Sequence, residues 1–151
     1  MFDAFLRSLA RLRAHFQQKN LIPRQALGRE AEDLAHRHLE SLGYEVIDRN
    51  WFDAKALSEI DMVARHEGEL VFIEVKSRTS EIWGPPEIAL HSVKRAALRR
   101  GIREYARRAG VKAGEVRFDV VTVVMGESPK IEVLRGAPVF TRRRRNPVCW
   151  R

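Results

Sequence analysis

The chain has 151 residues, enough for one domain with a real core and hardly for two. Its 28 Lys+Arg against 20 Asp+Glu leave a net charge of +8, a surplus that points to a polyanionic partner, nucleic acid before anionic lipid. Cys149 is the single cysteine, which excludes an intrachain disulfide and a cysteine-rich zinc site and makes a cytoplasmic location the default expectation.

Phe2, Phe5, Leu6, Leu9, Leu12 and Phe16 fall at helical spacing with arginines on the remaining faces, so an amphipathic helix is expected at the N-terminus. Asp3, Arg7, Arg11 and Arg13 interrupt it, which argues against a cleaved signal peptide. No apolar run reaches the roughly 18 residues a membrane span needs, so no integral membrane association is expected. The helix reads as docked on the domain or as a loosely held terminus; a helix lying on membrane or nucleic acid is the alternative. Asn20–Pro23 is a linker.

A second helix is expected from Leu27 to Leu42, where Leu27, Ala31, Leu34, Ala35, Leu39 and Leu42 form one apolar stripe and Gly43 provides the stop. A strand follows over Tyr44–Arg49, then an irregular segment over Asn50–Ser58 and a second strand over Glu59–Arg65. His66–Glu69 is a turn and Leu70–Lys76 a third strand. Ser77–His91, with Gly84-Pro85-Pro86, reads as a loop, and Ser92–Ala109 as a long helix ended by Gly110. Glu115–Met125 and Lys130–Leu134 are the last strands, before an aperiodic tail holding Arg142–Arg145. The order α–α–β–β–β–α–β–β predicts an α/β fold with a mixed sheet and helices on its faces.

The chemistry concentrates in the hairpin around Glu67-Gly68. With those two residues as its tip, His66 pairs with Glu69, Arg65 with Leu70 and, further along, Asp61 with Glu74. Two carboxylates directly opposite each other, with Cβ atoms about 5 Å apart, repel unless something positive lies between them. Lys76 shares the face of Glu74, as do Val63, Leu70 and Phe72 nearer the turn, while Ile60, Met62, Ile73 and Val75 are expected on the other face. Paired carboxylates suit a hard divalent cation that lowers the pKa of bound water, and a neighbouring lysine suits a phosphate or the attacking water. The plainer reading is a surface hairpin with a cross-strand ion pair.

Glu32, on the flank of the second helix, leans toward the sheet as a third carboxylate, and Glu59 is a fourth, more weakly placed. His38 falls within the apolar stripe and reads as a core histidine; His36 faces solvent. On the helix over 92–109, Leu98, Gly101, Ile102, Tyr105 and Ala109 make the inner stripe, and Arg95, Arg99, Arg100, Arg103 and Arg107 the outer sector. Like charges at i,i+4 cost an isolated helix about 0.2–0.5 kcal/mol per pair, a repulsion that a polyanion relieves. Lys94 sits on the inward stripe at the first turn, within reach of the acidic end of the sheet.

These residues resemble the PD-(D/E)XK, restriction-endonuclease-like superfamily, and within it the bacterial YraN-like family. The resemblance runs through Gly28–Ala35, Leu42-Gly-Tyr44 with Arg49-Asn50, Glu59-Ile-Asp61, Phe72–Arg78, Gly84 and Pro86, Lys94 and Arg117-Phe-Asp119, about residues 25 to 135. It implies an αβββαβ core over residues 24–136, an extra N-terminal helix and linker over 1–23, and a basic tail over 137–151. It assigns Glu32, Asp61, Glu74 and Lys76 to the active site, with Asp61, Glu74 and Glu32 holding Mg²⁺ or, in its place, Mn²⁺. Archaeal Holliday-junction resolvases have a similar arrangement. Two departures stand out: Ser58 and Ala31 occupy positions where similar proteins have Gly, and the loop over 50–58 is about two residues longer.

The expectation is a Mg²⁺-dependent endonuclease acting on DNA in preference to RNA, on branched or repair intermediates. Arg78, Lys94, Arg95, Arg99 and Arg103 are its phosphate-binding set. The rivals are a nucleic-acid-binding protein that keeps the fold without catalysis, and a basic adaptor held to membrane by the first helix. A homodimer stays open.

Overall fold

A computed structural model of the chain describes residues 23–55, 57–79 and 92–139. The expected N-terminal amphipathic helix, most of the Ser77–His91 loop and the Arg142–Arg145 run lie outside the described residues. Within them the order is α1 (Pro23–Ser41), β1 (Glu45–Asp53), β2 (Ser58–His66), β3 (Glu69–Arg78), α2 (Ser92–Ala109), a 3₁₀ turn (Ala113–Glu115), β4 (Val116–Val124) and β5 (Lys130–Leu134). The five strands form one sheet in sequential order; only β3 and β4 run parallel, joined by the crossover that contains α2. This is the mixed α/β sheet with flanking helices expected of a restriction-endonuclease-like core.

Each helix covers one face. Ala31, Ala35 and Leu39 of α1 pack with Tyr44, Met62, Ala64, Val71, Ile73, Val121 and Val123. Leu98 and Ile102 of α2 pack with Trp51, Ile60, Val63, Leu70, Phe72, Phe118 and Val120 on the other. β3 and β4 are therefore apolar on both sides, as a parallel pair sandwiched between helices requires. The second cluster also takes in Ala137 and Val139, so the packed chain continues past the boundary expected at residue 136.

Local signals place the elements. Pro23 opens α1, where a missing N–H costs nothing. At its end Tyr44 N–H donates to the Leu39 carbonyl and Gly43 N–H to that of Glu40, a Schellman closure with Tyr44 packed on Leu39. The β2–β3 turn has left-handed φ at both central residues, 52° at Glu67 and 81° at Gly68, as a two-residue I′ turn demands. Its register is the expected one: His66 faces Glu69, Arg65 faces Leu70 and Met62 faces Ile73.

Three local expectations need correction. Asn50–Asp53 is strand rather than irregular, with Trp51 and Asp53 buried and Phe52 exposed. Ile60 packs with Val63 beneath α2, whereas Met62 faces α1, so side-chain alternation breaks at Asp61. The cause is visible in β1: Trp51 pairs with Ile60 and Arg49 with Met62, and between them Asn50 adopts φ 51°. Asn tolerates that left-handed geometry better than most residues, and its placement here turns the two strands locally. His38 is only partly buried, and His36 is not simply solvated, since its Nε2 lies 3.3 Å from Glu40.

Candidate active site

Beyond Met62 and Ile73 the β2–β3 ladder ends, and the two strands present Asp61 and Glu74 at the place where they part. Glu74 continues the alternation of Leu70 and Phe72 onto the α2 face, where its side chain is only 4% exposed. Asp61 Oδ2 accepts the Val75 amide N–H at 2.7 Å, so this carboxylate is bonded to the strand that carries its partner. Burial, followed by the charge of Glu74, pushes Asp61 up to about 7, and the Val75 bond only partly offsets them.

Two ammonium groups converge on one oxygen of Glu74. Lys76 Nζ donates to Glu74 Oε1 at 2.8 Å and Lys94 Nζ to the same atom at 2.6 Å. Lys76 comes from the same strand face; Lys94 comes from the first turn of α2. Burial alone would lower the pKa of Lys94, but the hydrogen bond and charge of Glu74 raise it, so the ammonium form is held. Asp61, Glu74 and Lys94 line an open cleft whose far wall is Leu57, just before β2, Ser58 and Glu59 at its start, and Ala97 and Leu98 from α2.

Glu32 approaches from α1, on the opposite side of the sheet. Burial raises its pKa, while a hydrogen bond from Asn50 and the charge of Arg49 lower it and Glu59 raises it further. Its Oε2 is buried with no hydrogen-bond partner, Arg49 Nη2 standing off at 3.8 Å. It acts on Asp61 through its charge. Glu59 is exposed and joins the cleft wall.

Among the described residues no three His, Cys, Asp or Glu side chains converge as a closed metal cage requires. The pair nonetheless fits a hard divalent cation. Mg²⁺ is commonly held by one or two carboxylates and completes its shell with water and substrate phosphate. Two carboxylates, the charge of Glu74 raising the cost of ionising Asp61, with Glu32 and its orphaned oxygen also acting on Asp61, form a donor set of that kind.

The remaining basic residues divide in two. Arg95, Arg99 and Arg103 follow one another at i,i+4 along α2, and Arg78 lies two residues beyond Lys76 on β3. Farther along α2, Glu104 takes Arg107 at 2.8 Å and Arg108 at 2.7 Å, and their hydrogen bonds draw its own pKa down to about 2. At this end of the helix, then, an acid engages part of the basic face.

Sequence reasoning missed the groups that shape the cleft. Ser58 is 4% exposed because it packs on Gly101: a Cβ built there would lie 2.8 Å from Ser58 Oγ. The serine at a position of expected glycine is matched by a glycine inside α2, a residue that weakens a helix interior by about 1 kcal/mol. Asn50, whose side chain hydrogen-bonds Glu32, stood in the sequence only as the start of an irregular segment and as part of the matched Arg49-Asn50. A second polar cluster was also unforeseen. Fully buried Asp119 accepts from Tyr44 Oη at 2.9 Å, from Arg117 Nε at 3.0 Å and from Gly136 N–H at 2.9 Å. Arg117 Nη2 also reaches His66 Nδ1 at 2.9 Å, and the His66 ring stacks on Tyr44 at 3.9 Å.

Comparison with known proteins places this architecture. The family model described as "Uncharacterised protein family UPF0102" matches residues 31–123, which include Glu32, Asp61, Glu74, Lys76, Lys94 and Asp119. A UPF0102 protein of Solibacter usitatus (strain Ellin6076) is 51% identical over 110 residues, 73% of this chain and 83% of its own. One from Rhodococcus jostii (strain RHA1) is 38% identical over 108 residues, 72% of this chain and 90% of its own. One from Geobacter sulfurreducens is 37% identical over 113 residues, 74% and 87% respectively. With a family match across most of its length and relatives this similar, the chain belongs to UPF0102, the YraN-like family.

Proposed function

We propose that this protein is a Mg²⁺-dependent endonuclease that hydrolyses phosphodiester bonds in DNA, with branched or repair intermediates as its substrates. The observation that carries the reading is the junction of Asp61 and Glu74 at the open end of the β2–β3 ladder, with two lysine ammonium groups aimed at the same buried carboxylate. Asp61 and Glu74 would hold the cation, assisted by Glu32, and Mn²⁺ would substitute. The cation supplies Lewis acidity and a bound water of lowered pKa. Lys76, fixed on the strand beside Glu74, orients the attacking water or meets the charge that develops on the phosphate. Arg78, Lys94, Arg95, Arg99 and Arg103 hold the backbone, where phosphate contacts fix position without reading sequence.

A cytoplasmic setting suits that role, and no helix among the described residues is long and apolar enough to cross a membrane. The test is a panel of duplex, single-stranded, flap and junction DNAs with Mg²⁺ or Mn²⁺. At least one should be cut, and Asp61→Ala should abolish the cutting. Activity that survives Asp61→Ala would sink the assignment.

One observation favours a second reading, a nucleic-acid-binding protein that retains the nuclease fold without catalysis. Glu74 already has two cationic partners, so part of the acidic cluster is neutralised without any metal. That protein would bind DNA with a strong salt dependence and no response to divalent cations beyond screening.

A further inference from the structure

Glu74 Oε1 accepts from both Lys76 Nζ, at 2.8 Å, and Lys94 Nζ, at 2.6 Å. A carboxylate oxygen offers about two lone-pair directions, so these two donors occupy it. A cation that binds through this atom has to displace one of them.

The two lysines are not equally free to leave. Lys76 shares a strand with Glu74, two residues away on the same face, and its side chain is 37% exposed. Lys94 belongs to another element, and its side chain is 57% exposed. Turning Lys94 outward moves its ammonium from a buried oxygen into water, whereas Lys76 remains beside Glu74 by strand geometry.

We propose that Lys94 is a counter-ion that holds the cation's place on Glu74 and gives it up on metal binding, and so sets how tightly the site takes a divalent cation. This rests on the metal-dependent reading above. It makes Lys94 a positioning residue acting through Glu74, one that meets the phosphate backbone only after metal has released it.

The test is Mn²⁺ binding to the full chain without DNA, followed by calorimetry or by the loss of the free-ion electron paramagnetic resonance signal. Lys94→Met keeps the length of the side chain and removes its charge. It should bind Mn²⁺ about tenfold more tightly than the unmodified protein, the effect of no longer breaking one charge-assisted hydrogen bond. Lys94→Arg restores a competing cation and should return the affinity to within about threefold of the original. Lys94→Gln serves as a second neutral variant, with the circular dichroism of each compared first to establish that α2 is intact. Equal or weaker Mn²⁺ binding by folded Lys94→Met and Lys94→Gln, with binding still dependent on Asp61, would overturn the role of Lys94 and leave the metal site standing. If neither the unmodified protein nor any Lys94 variant bound Mn²⁺, the metal-dependent reading would fall, and this proposal with it.

Discussion

Asp61 Oδ2 accepts the backbone N–H of Val75 at 2.7 Å, which bonds one acid of the pair to the peptide that separates Glu74 from Lys76. The carboxylate is thereby fixed in a place it would not choose on electrostatic grounds. Burial and the charge of Glu74 raise its pKa to about 7. A group whose folded pKa lies above its unfolded value binds the extra proton in the native state. Its stabilising contribution is full below about pH 4, the ordinary carboxylate range, and is lost as pH rises through about 7.

Asp61→Asn should therefore stabilise the metal-free protein at pH 8, on the order of 1–2 kcal/mol, because the amide oxygen still accepts from Val75 and no charge opposes Glu74. It should flatten the fall in stability between pH 4 and pH 7. Thermal melts of both proteins across that range provide the check, and an unchanged pH profile would contradict the account of the pair.

Asp119 is the opposite case, a buried acid with every partner in place. Removing it by Asp119→Ala leaves Tyr44 Oη, Arg117 and the Gly136 N–H without their acceptor. A cost of about 3–5 kcal/mol is expected, since Arg117 becomes a buried charge with fewer partners. The urea midpoint should drop with the slope of the transition unchanged, the sign of lost stability without a change in compactness.

Gly101→Ala tests the close approach of α2 to the cleft wall. Alanine favours the helix by about 1 kcal/mol, but its Cβ would stand 2.8 Å from Ser58 Oγ, and Ser58 is buried and has little room to move. The single variant should be less stable by about 1–2 kcal/mol. Combined with Ser58→Gly, the same alanine should be tolerated, giving a favourable interaction energy of about 1–2 kcal/mol in the double-mutant cycle. Additive effects would show that the two positions do not press on each other.

Glu104→Gln releases Arg107 and Arg108 from the carboxylate that engages them. If α2 is the wall that faces DNA, the salt dependence of binding should steepen, by up to about 0.9 in log–log slope for each arginine that gains a phosphate. Arg99→Ala with Arg103→Ala should make it shallower by a similar amount per residue. Fluorescence anisotropy with a labelled duplex at several salt concentrations measures both, and slopes that ignore all three positions would remove α2 from the interface.

The parts of this molecule legible in the sequence are those set by short-range rules. The Glu67-Gly68 tip fixed the β2–β3 register from His66–Glu69 to Met62–Ile73, because a two-residue turn leaves little freedom in pairing, but the ladder stops there and the expected Asp61–Glu74 pair is not part of it. Helical periodicity was enough to aim Lys94 inward. Periodicity failed where a strand changed its twist. Asn50–Asp53 contains two turn-forming residues and read as irregular, and the break in alternation at Asp61 depends on a left-handed Asn50 in the neighbouring strand. The Asp119 cluster joins residues as far apart as Tyr44 and Gly136, a relation that no local pattern encodes. Tyr44, Arg117 and Asp119 stood in the sequence only as separate segments of the family resemblance, with nothing local to join them.

The crossover between β3 and β4 also sets an order of events. The β2–β3 hairpin closes over a two-residue turn, on the microsecond scale typical of hairpins, and brings Asp61 to Glu74 together with Lys76. Lys94 arrives only when α2 docks and β4 aligns so that Glu74 meets Val120, a long-range closure that is entropically slower. For that interval the two carboxylates share a single ammonium group. Asp61→Asn, which removes one of the two like charges, should accordingly speed refolding at pH 8, as stopped-flow fluorescence would record.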